Sequence, residues 1–116
     1  MSITLYGIKA CDTMKKAMTW LDDNGVDYHF HDYKKVGASE AELRQWIDTL
    51  GWETVINRRG TTWRKLPQDL RDSMDVDKAV AAALDNPSLI KRPMLDTGSA
   101  LEAGFSPARY SELLGK

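Results

Sequence analysis

The chain of 116 residues contains a single cysteine, Cys11. One thiol cannot close an intrachain disulfide or build a cysteine-cluster zinc or iron–sulfur site, so a reducing compartment is the expected setting. A dominant charge is missing too: 16 Lys and Arg stand against 17 Asp and Glu, for a formal net charge of -1. So balanced a chain has no uniform cationic field, which excludes a general binder of nucleic acid or anionic lipid. No apolar run approaches the roughly 18 residues of a membrane span, and the opening MSITLYGIKACD lacks the apolar stretch of a signal peptide. The expectation is a soluble, cytoplasmic protein with no membrane partner. Internal repeats, low-complexity tracts and linkers are also lacking, so one domain over residues 1–116 is expected.

What is present suits a packed core. Hydrophobic residues make up 42% and charged residues 28%, a globular balance that buries roughly two-thirds of the unfolded surface at this length. Ile3, Leu5 and Tyr6 lead to Gly7 and predict a buried strand over about 2–6. Met14, Ala17, Met18 and Leu21 recur at helical spacing and predict a helix from about Asp12 to Asn24, stopped by Gly25. Val26, Tyr28 and Phe30 alternate with Asp27, His29 and His31, the period of a half-buried strand. A strand-helix-strand unit normally places its site at the carboxyl end of the first strand, where Cys11 falls.

Ser39 and Glu42 form a capping box ahead of a helix with Leu43, Trp46, Ile47 and Leu50 on its apolar face, closed by Gly51. The stretch INRRGTTWRK then reads as a loop. Two short helices follow, one after Pro67 with Leu66 and Leu70, the other over about 76–85 with Val76, Val80 and Leu84, stopped at Asn86-Pro87. Residues of about 36–86 thus form a helical insertion subdomain. Met94–Thr97 and Ala100–Glu102, split by Gly98, predict a hairpin, and Ser106-Pro107 caps a last helix through Tyr110, Leu113 and Leu114.

Cys11 carries the chemistry in this reading. A thiol in a loop between a strand and a helix amino terminus meets unpaired backbone N–H groups and the positive end of the helix dipole, which favour thiolate. Lys9, Lys15 and Lys16 add cations nearby, while Asp12 opposes them. An inert buried cysteine is the competing reading, and the polar loop position weighs against it. Arginines form the second group: Arg58, Arg59 and Arg64 in the loop, and Arg92 directly before Pro93. Guanidinium groups clamp oxyanions and hold thiolates charged, although each loop arginine is as readily a solvated charge. A cis Arg92-Pro93 bond at a strand start would present a backbone edge to an extended thiol substrate. His29 and His31 lack a third partner and read as surface residues. Trp46, Trp52 and Trp63 read as packing, and Met14, Met18, Met74 and Met94 as core fillers.

The segments LYGIKACDTMKKAMTWL, NRRGTTWRKL and IKRPMLDTG together resemble the glutaredoxin-coupled arsenate reductase (ArsC) family, in its small YffB-type branch of the ArsC/Spx thioredoxin-fold superfamily. The order of elements extends that resemblance over almost the whole chain. It implies an α/β, thioredoxin-like fold: a four-stranded mixed sheet flanked by helices, with a helical insertion. It implies Cys11 as nucleophile, Arg92 as the residue stabilising thiolate or oxyanion, Pro93 as a cis proline opening the third strand, and Arg58 or Arg59 as the insertion-loop arginine. Lys9 and Lys15 join Arg58, Arg59 and Pro93 as candidates for binding substrate or glutathione.

Three departures bear on the reaction. True arsenate reductases of the family carry histidine where Gly7 stands, arginine where Lys15 stands, and a third arginine after the final hairpin, where this chain has only the displaced Arg109. Lysine keeps the charge and loses the bidentate fork, which disfavours tight arsenate binding. Glutathione-dependent thiol reduction is therefore the favoured expectation, with glutathione as co-substrate, glutaredoxin as a candidate partner, an oxidised thiol or small oxyanion as substrate, and no metal or prosthetic group. Met14 stands where a C-x-x-C motif places its second cysteine, so an external thiol must resolve the adduct. An Spx-like, RNA polymerase-associated regulator without catalysis is the alternative, and a thioredoxin-like module with a silent cysteine is a third reading.

Overall fold

The computed structural model describes residues 2–116. The chain divides into two compact units, one formed by the segments up to Asp32 and from Arg92 to Lys116, the other by Tyr33–Lys91. The second unit is wider at each end than the expected insertion of 36–86.

In the first unit, strands β1 (Thr4–Gly7), β2 (His29–Asp32), β3 (Met94–Asp96) and β4 (Leu101–Ala103) form one mixed sheet in the order β2-β1-β3-β4. β1 runs parallel to β2 with Leu5 opposite Phe30, and antiparallel to β3 with Tyr6 opposite Met94. Helix α1 (Asp12–Asp23) connects the parallel pair, and its stripe of Met14, Ala17 and Leu21 is fully buried against Leu5, Leu95 and Tyr110. Burying leucines such as Leu5, Leu21 and Leu95 contributes roughly 1.5–3 kcal/mol each. Both sequence-based strand limits shift. β1 lies later than expected, and β2 excludes Val26–Tyr28, because pairing with β1 starts only at Thr4 opposite His29. Val26 is instead held by its N–H to the Leu21 carbonyl at 2.9 Å, and it packs with Tyr28 on the core without a ladder.

The last helix, numbered α8 (Pro107–Leu114), begins as its sequence predicts. Ser106 accepts a hydrogen bond from the Arg109 N–H at 3.3 Å, Pro107 fills the first turn, and Gly115 ends the helix in the left-handed region at φ 68°. Tyr110 anchors it: the ring is fully buried, meets Trp20 and Phe105 edge-on, and donates its hydroxyl to the Gly104 carbonyl at 3.2 Å.

The second unit is helical, with α2 (Tyr33–Val36), α3 (Glu40–Leu50), α4 (Trp52–Val55), α5 (Thr61–Arg64), α6 (Gln68–Asp72), α7 (Val76–Asp85) and a 3-10 turn at Pro87–Leu89. Ser39 caps α3 by accepting from the Glu42 N–H, and Leu43, Trp46 and Ile47 are buried as their spacing requires. Three elements escaped sequence reading: α2, α4 and α5, each one turn of four residues and too short for a period to show. The expected INRRGTTWRK loop therefore contains α5, and Pro87 opens a turn where only a stop was expected. The apolar face of α7 is also corrected. Ala79, Val80 and Ala83 are buried, while Val76 and Leu84 are 43% and 37% exposed, because the small side chains let the helix lie close to its neighbours. Backbone bonds from Asn57 N–H to the Leu89 carbonyl and from Lys91 N–H to the Val55 carbonyl, both 2.7 Å, tie the end of α4 to the carboxyl end of this unit.

Candidate active site

The carboxyl end of β1 sets the position of the thiol. After Gly7 the chain turns through Ile8, Lys9 and Ala10, and the Cys11 N–H closes the turn on the Ile8 carbonyl at 3.3 Å. Cys11 is extended, at φ −87° and ψ 133°, and its carbonyl accepts the first helical bond from Lys15 N–H at 3.0 Å. It is thus the N-cap of α1, the position from which a side chain reaches the amides of the second and third helical residues. Those residues are Thr13 and Met14.

The half-buried sulfur feels opposing influences. Burial pushes the thiol up, but the Met14 N–H, a hydrogen bond from the Arg92 side chain, the Thr13 N–H and the Arg92 charge together outweigh it. The net result is a thiol held below its ordinary value of 9.0. Hydrogen bonding to the charged form is the deciding influence, as at other helix-terminal cysteines.

Arg92 arrives from far along the chain. The antiparallel register that sets Tyr6 opposite Met94 brings the residues just before β3 to the carboxyl end of β1, beside the thiol. The Arg92-Pro93 peptide is cis, Pro93 is buried, and its carbonyl accepts the Gly104 N–H at 2.8 Å. Cys11 and Arg92 are therefore brought together, and Pro93 adjoins them in sequence. Lys9 and Lys15 lie exposed around the turn and the first turn of α1, with no ion pair among the described residues.

Gly7 and Met14 explain one departure from the arsenate reductase pattern. A Cβ built on Gly7 runs into Met14 Sδ and lies 2.7 Å from Cε. Met14 is itself fully buried, so its thioether occupies the space that a histidine at position 7 would need. Arg109, the displaced third arginine, is engaged elsewhere: its Nε lies 3.1 Å from Glu102 and its Nη1 3.2 Å from Glu112.

Arg58 and Arg59 belong to the second unit, in the segment between α4 and α5. The Arg58 guanidinium sits 5.6 Å from the centre of the Trp52 ring, which stacks on Trp63 at 6.2 Å. The Arg59 N–H donates to Asn57 Oδ1, and its carbonyl accepts from Arg64 at 2.9 Å. Arg58 is thus occupied by a cation–π contact inside its own unit. Trp46 is buried as a packing residue. His29 is exposed, but His31 is half-buried and lies on the Tyr6 ring at 4.9 Å, because the two residues pair across β1 and β2. Among the described residues no group of three or more His, Cys, Asp or Glu is arranged to hold a metal ion, and no helix is long and apolar enough to cross a membrane.

The sequence reading expected backbone N–H groups at the thiol without saying which, and it missed that the Met14 side chain helps build this site. An N-cap at Cys11 fixes those groups as the amides of Thr13 and Met14. The contact of Met14 with Gly7 carried no such signal.

Comparison with known proteins gives the site its context. A sequence profile of the ArsC family matches residues 6–113. The solved structure of a protein titled YFFB (PA3664) is 51% identical, covers 96% of this chain and 97% of its own, and superposes with a TM-score of 0.93. An uncharacterised protein of Haemophilus influenzae is 43% identical over 109 residues, 93% of this chain and 95% of that protein. The global transcriptional regulator Spx of Staphylococcus haemolyticus is 26% identical over 106 residues, 90% of this chain and 80% of the regulator.

Proposed function

Because the chain belongs to the ArsC family of thioredoxin-like proteins, we propose that it is a glutathione-dependent thiol reductase with Cys11 as its single nucleophile. The observation that carries the reading is the placement of the Cys11 thiol at the α1 N-cap, after the carboxyl end of β1, with Arg92 brought beside it by the β1–β3 register, a setting that lowers the thiol despite its burial. In the proposed cycle the Cys11 thiolate attacks the sulfur of a glutathione mixed disulfide. A Cys11–glutathione disulfide forms, the substrate's S–S bond breaks, and the substrate sulfur leaves with the electron pair and takes up a proton. A second glutathione, as thiolate, attacks the glutathione sulfur of that adduct, forming glutathione disulfide and returning Cys11 as thiolate. The substrate is reduced by two electrons, and two glutathione units end oxidised as one disulfide.

Arg92 stabilises the starting and returning thiolate, and Lys9 and Lys15 are the exposed cations beside it that suit the carboxylates of glutathione. Arg58 and Arg59 stay candidates on the strength of family resemblance. Arsenate is the weaker substrate in this reading, since Met14 closes the position of the family histidine and Arg109 is engaged by two carboxylates. The assay is glutathione-linked turnover of 2-hydroxyethyl disulfide, followed by coupling glutathione disulfide to NADPH oxidation. Turnover by the native protein that is lost in Cys11→Ser is the expected result. Absence of turnover together with co-purification of RNA polymerase would favour the regulator reading, which the similarity to Spx makes the natural competitor.

A further inference from the structure

A groove of about 430 Å³ runs along the exposed side of α1, walled on the other side by Phe105 and the start of α8. Lys15, Lys16, Thr19, Trp20 and Asp23 line it from the helix, and Phe105 and Pro107 close it. Its lining is mostly apolar and includes Trp20 and Phe105, both of which also meet Tyr110 edge-on. Its charge is split. Lys15 and Lys16 mark the end next to Cys11, Asp23 marks the far end, and the lysines form no ion pair among the described residues. Lys15 stands four residues after Cys11, so the groove begins on the same face of the helix, one turn from the thiol.

From this arrangement we propose that the groove docks the polypeptide segment carrying the oxidised cysteine, with an acidic side chain at the lysines and an apolar, preferably aromatic, side chain between Trp20 and Phe105. The inference rests on Cys11 being the attacking thiolate and names its substrate class as a protein. Spacing follows from helix geometry. At 1.5 Å per residue Lys16 lies about 7 Å and Trp20 about 13 Å along α1 from Cys11. An extended segment advances about 3.3 Å per residue, so the acid belongs about two residues and the aromatic about four residues from the substrate cysteine. Glutathione, which has the acids and lacks the aromatic, fills only the end near the lysines.

The probe is a short peptide with one central cysteine, glutamate about two residues away on either side and phenylalanine about four residues away, its cysteine held as a mixed disulfide with thionitrobenzoate. Here Cys11 attacks the peptide sulfur, a Cys11–peptide disulfide forms, and thionitrobenzoate leaves with the electron pair, so its release gives the rate of exchange. The glutamate peptide is expected to react about tenfold faster than its lysine counterpart at low salt, from two exposed charge pairs, and the advantage collapses near 1 M salt. Lys16→Glu removes the charge preference, and Thr19→Trp, which fills the groove from an exposed position, removes the advantage of phenylalanine over alanine. Thr19→Trp keeps the native rate with 2-hydroxyethyl disulfide. Peptides reacting within about twofold of one another, or preferences that persist in both variants, overturn the proposal. Docking is read separately in Cys11→Ser, by titrating the alanine-for-cysteine peptide and following amide shifts. Shifts at residues 15–23 and 105–107 support the groove even if exchange fails, and their absence sinks it even if Cys11 is an active nucleophile.

Discussion

Replacing Gly7 by alanine puts a methyl carbon where the Met14 thioether already lies, against Sδ and 2.7 Å from Cε. Ordinary contacts between such atoms are about 3.5–4 Å, so Met14 must move by more than 1 Å inside a core that leaves it no exposed surface. Overpacking of this kind costs about 1–3 kcal/mol. Gly7 is not among the glycines at positive φ, so alanine also recovers about 0.4–1 kcal/mol by restricting the unfolded chain. The expected net loss is about 0–2.5 kcal/mol, read as a lower urea midpoint at unchanged slope. Met14→Ala alone loses about 2–5 kcal/mol by leaving a cavity. The double variant is the decisive one, since an alanine methyl at position 7 then occupies vacated space. Its loss should fall short of the sum of the single losses by about 1–3 kcal/mol. Strictly additive losses would refute the idea that Met14 excludes a side chain from position 7.

Alkylation of Cys11 followed against pH should show a midpoint below 9.0 that moves up in Arg92→Ala, with Arg92→Lys restoring part of the shift because charge survives and the fork does not; an unmoved midpoint removes Arg92 from the site. The same lowered thiol links stability to pH. The unfolded chain binds more protons than the folded one between the folded value and 9.0, so native stability relative to Cys11→Ser rises with pH through that window and levels off above it. A flat difference in chemical denaturation from neutral pH to about pH 9.5 would contradict this. Tyr110→Phe deletes the bond to the Gly104 carbonyl and should cost about 0.5–1.5 kcal/mol in the same denaturation assay, with the aromatic contacts to Trp20 and Phe105 preserved. A neutral outcome would mean that the carbonyl finds water instead.

Local signals wrote the longer helices into the sequence. α1, α3 and α8 have apolar stripes at helical spacing, and Ser39 and Ser106 accept hydrogen bonds from amides three residues on, interactions complete within a single turn. The placement of Cys11 between a strand and a helix was equally local, and with it the prospect of a lowered thiol. The rest depended on contacts between distant segments. The Arg92 side chain meets Cys11 only because β3 pairs antiparallel with β1 in one register. The buried face of α7 fell to Ala79, Val80 and Ala83 over larger Val76 and Leu84, because close approach of the helix decided what hydrophobicity alone could not. Gly7 shows the division most plainly: its lack of a side chain is visible in the sequence, but only packing reveals that Met14 needs the room. Periodicity and caps act over one or two turns and can be read from the chain, whereas the partner of a side chain is chosen by the sheet register and close packing of the folded core.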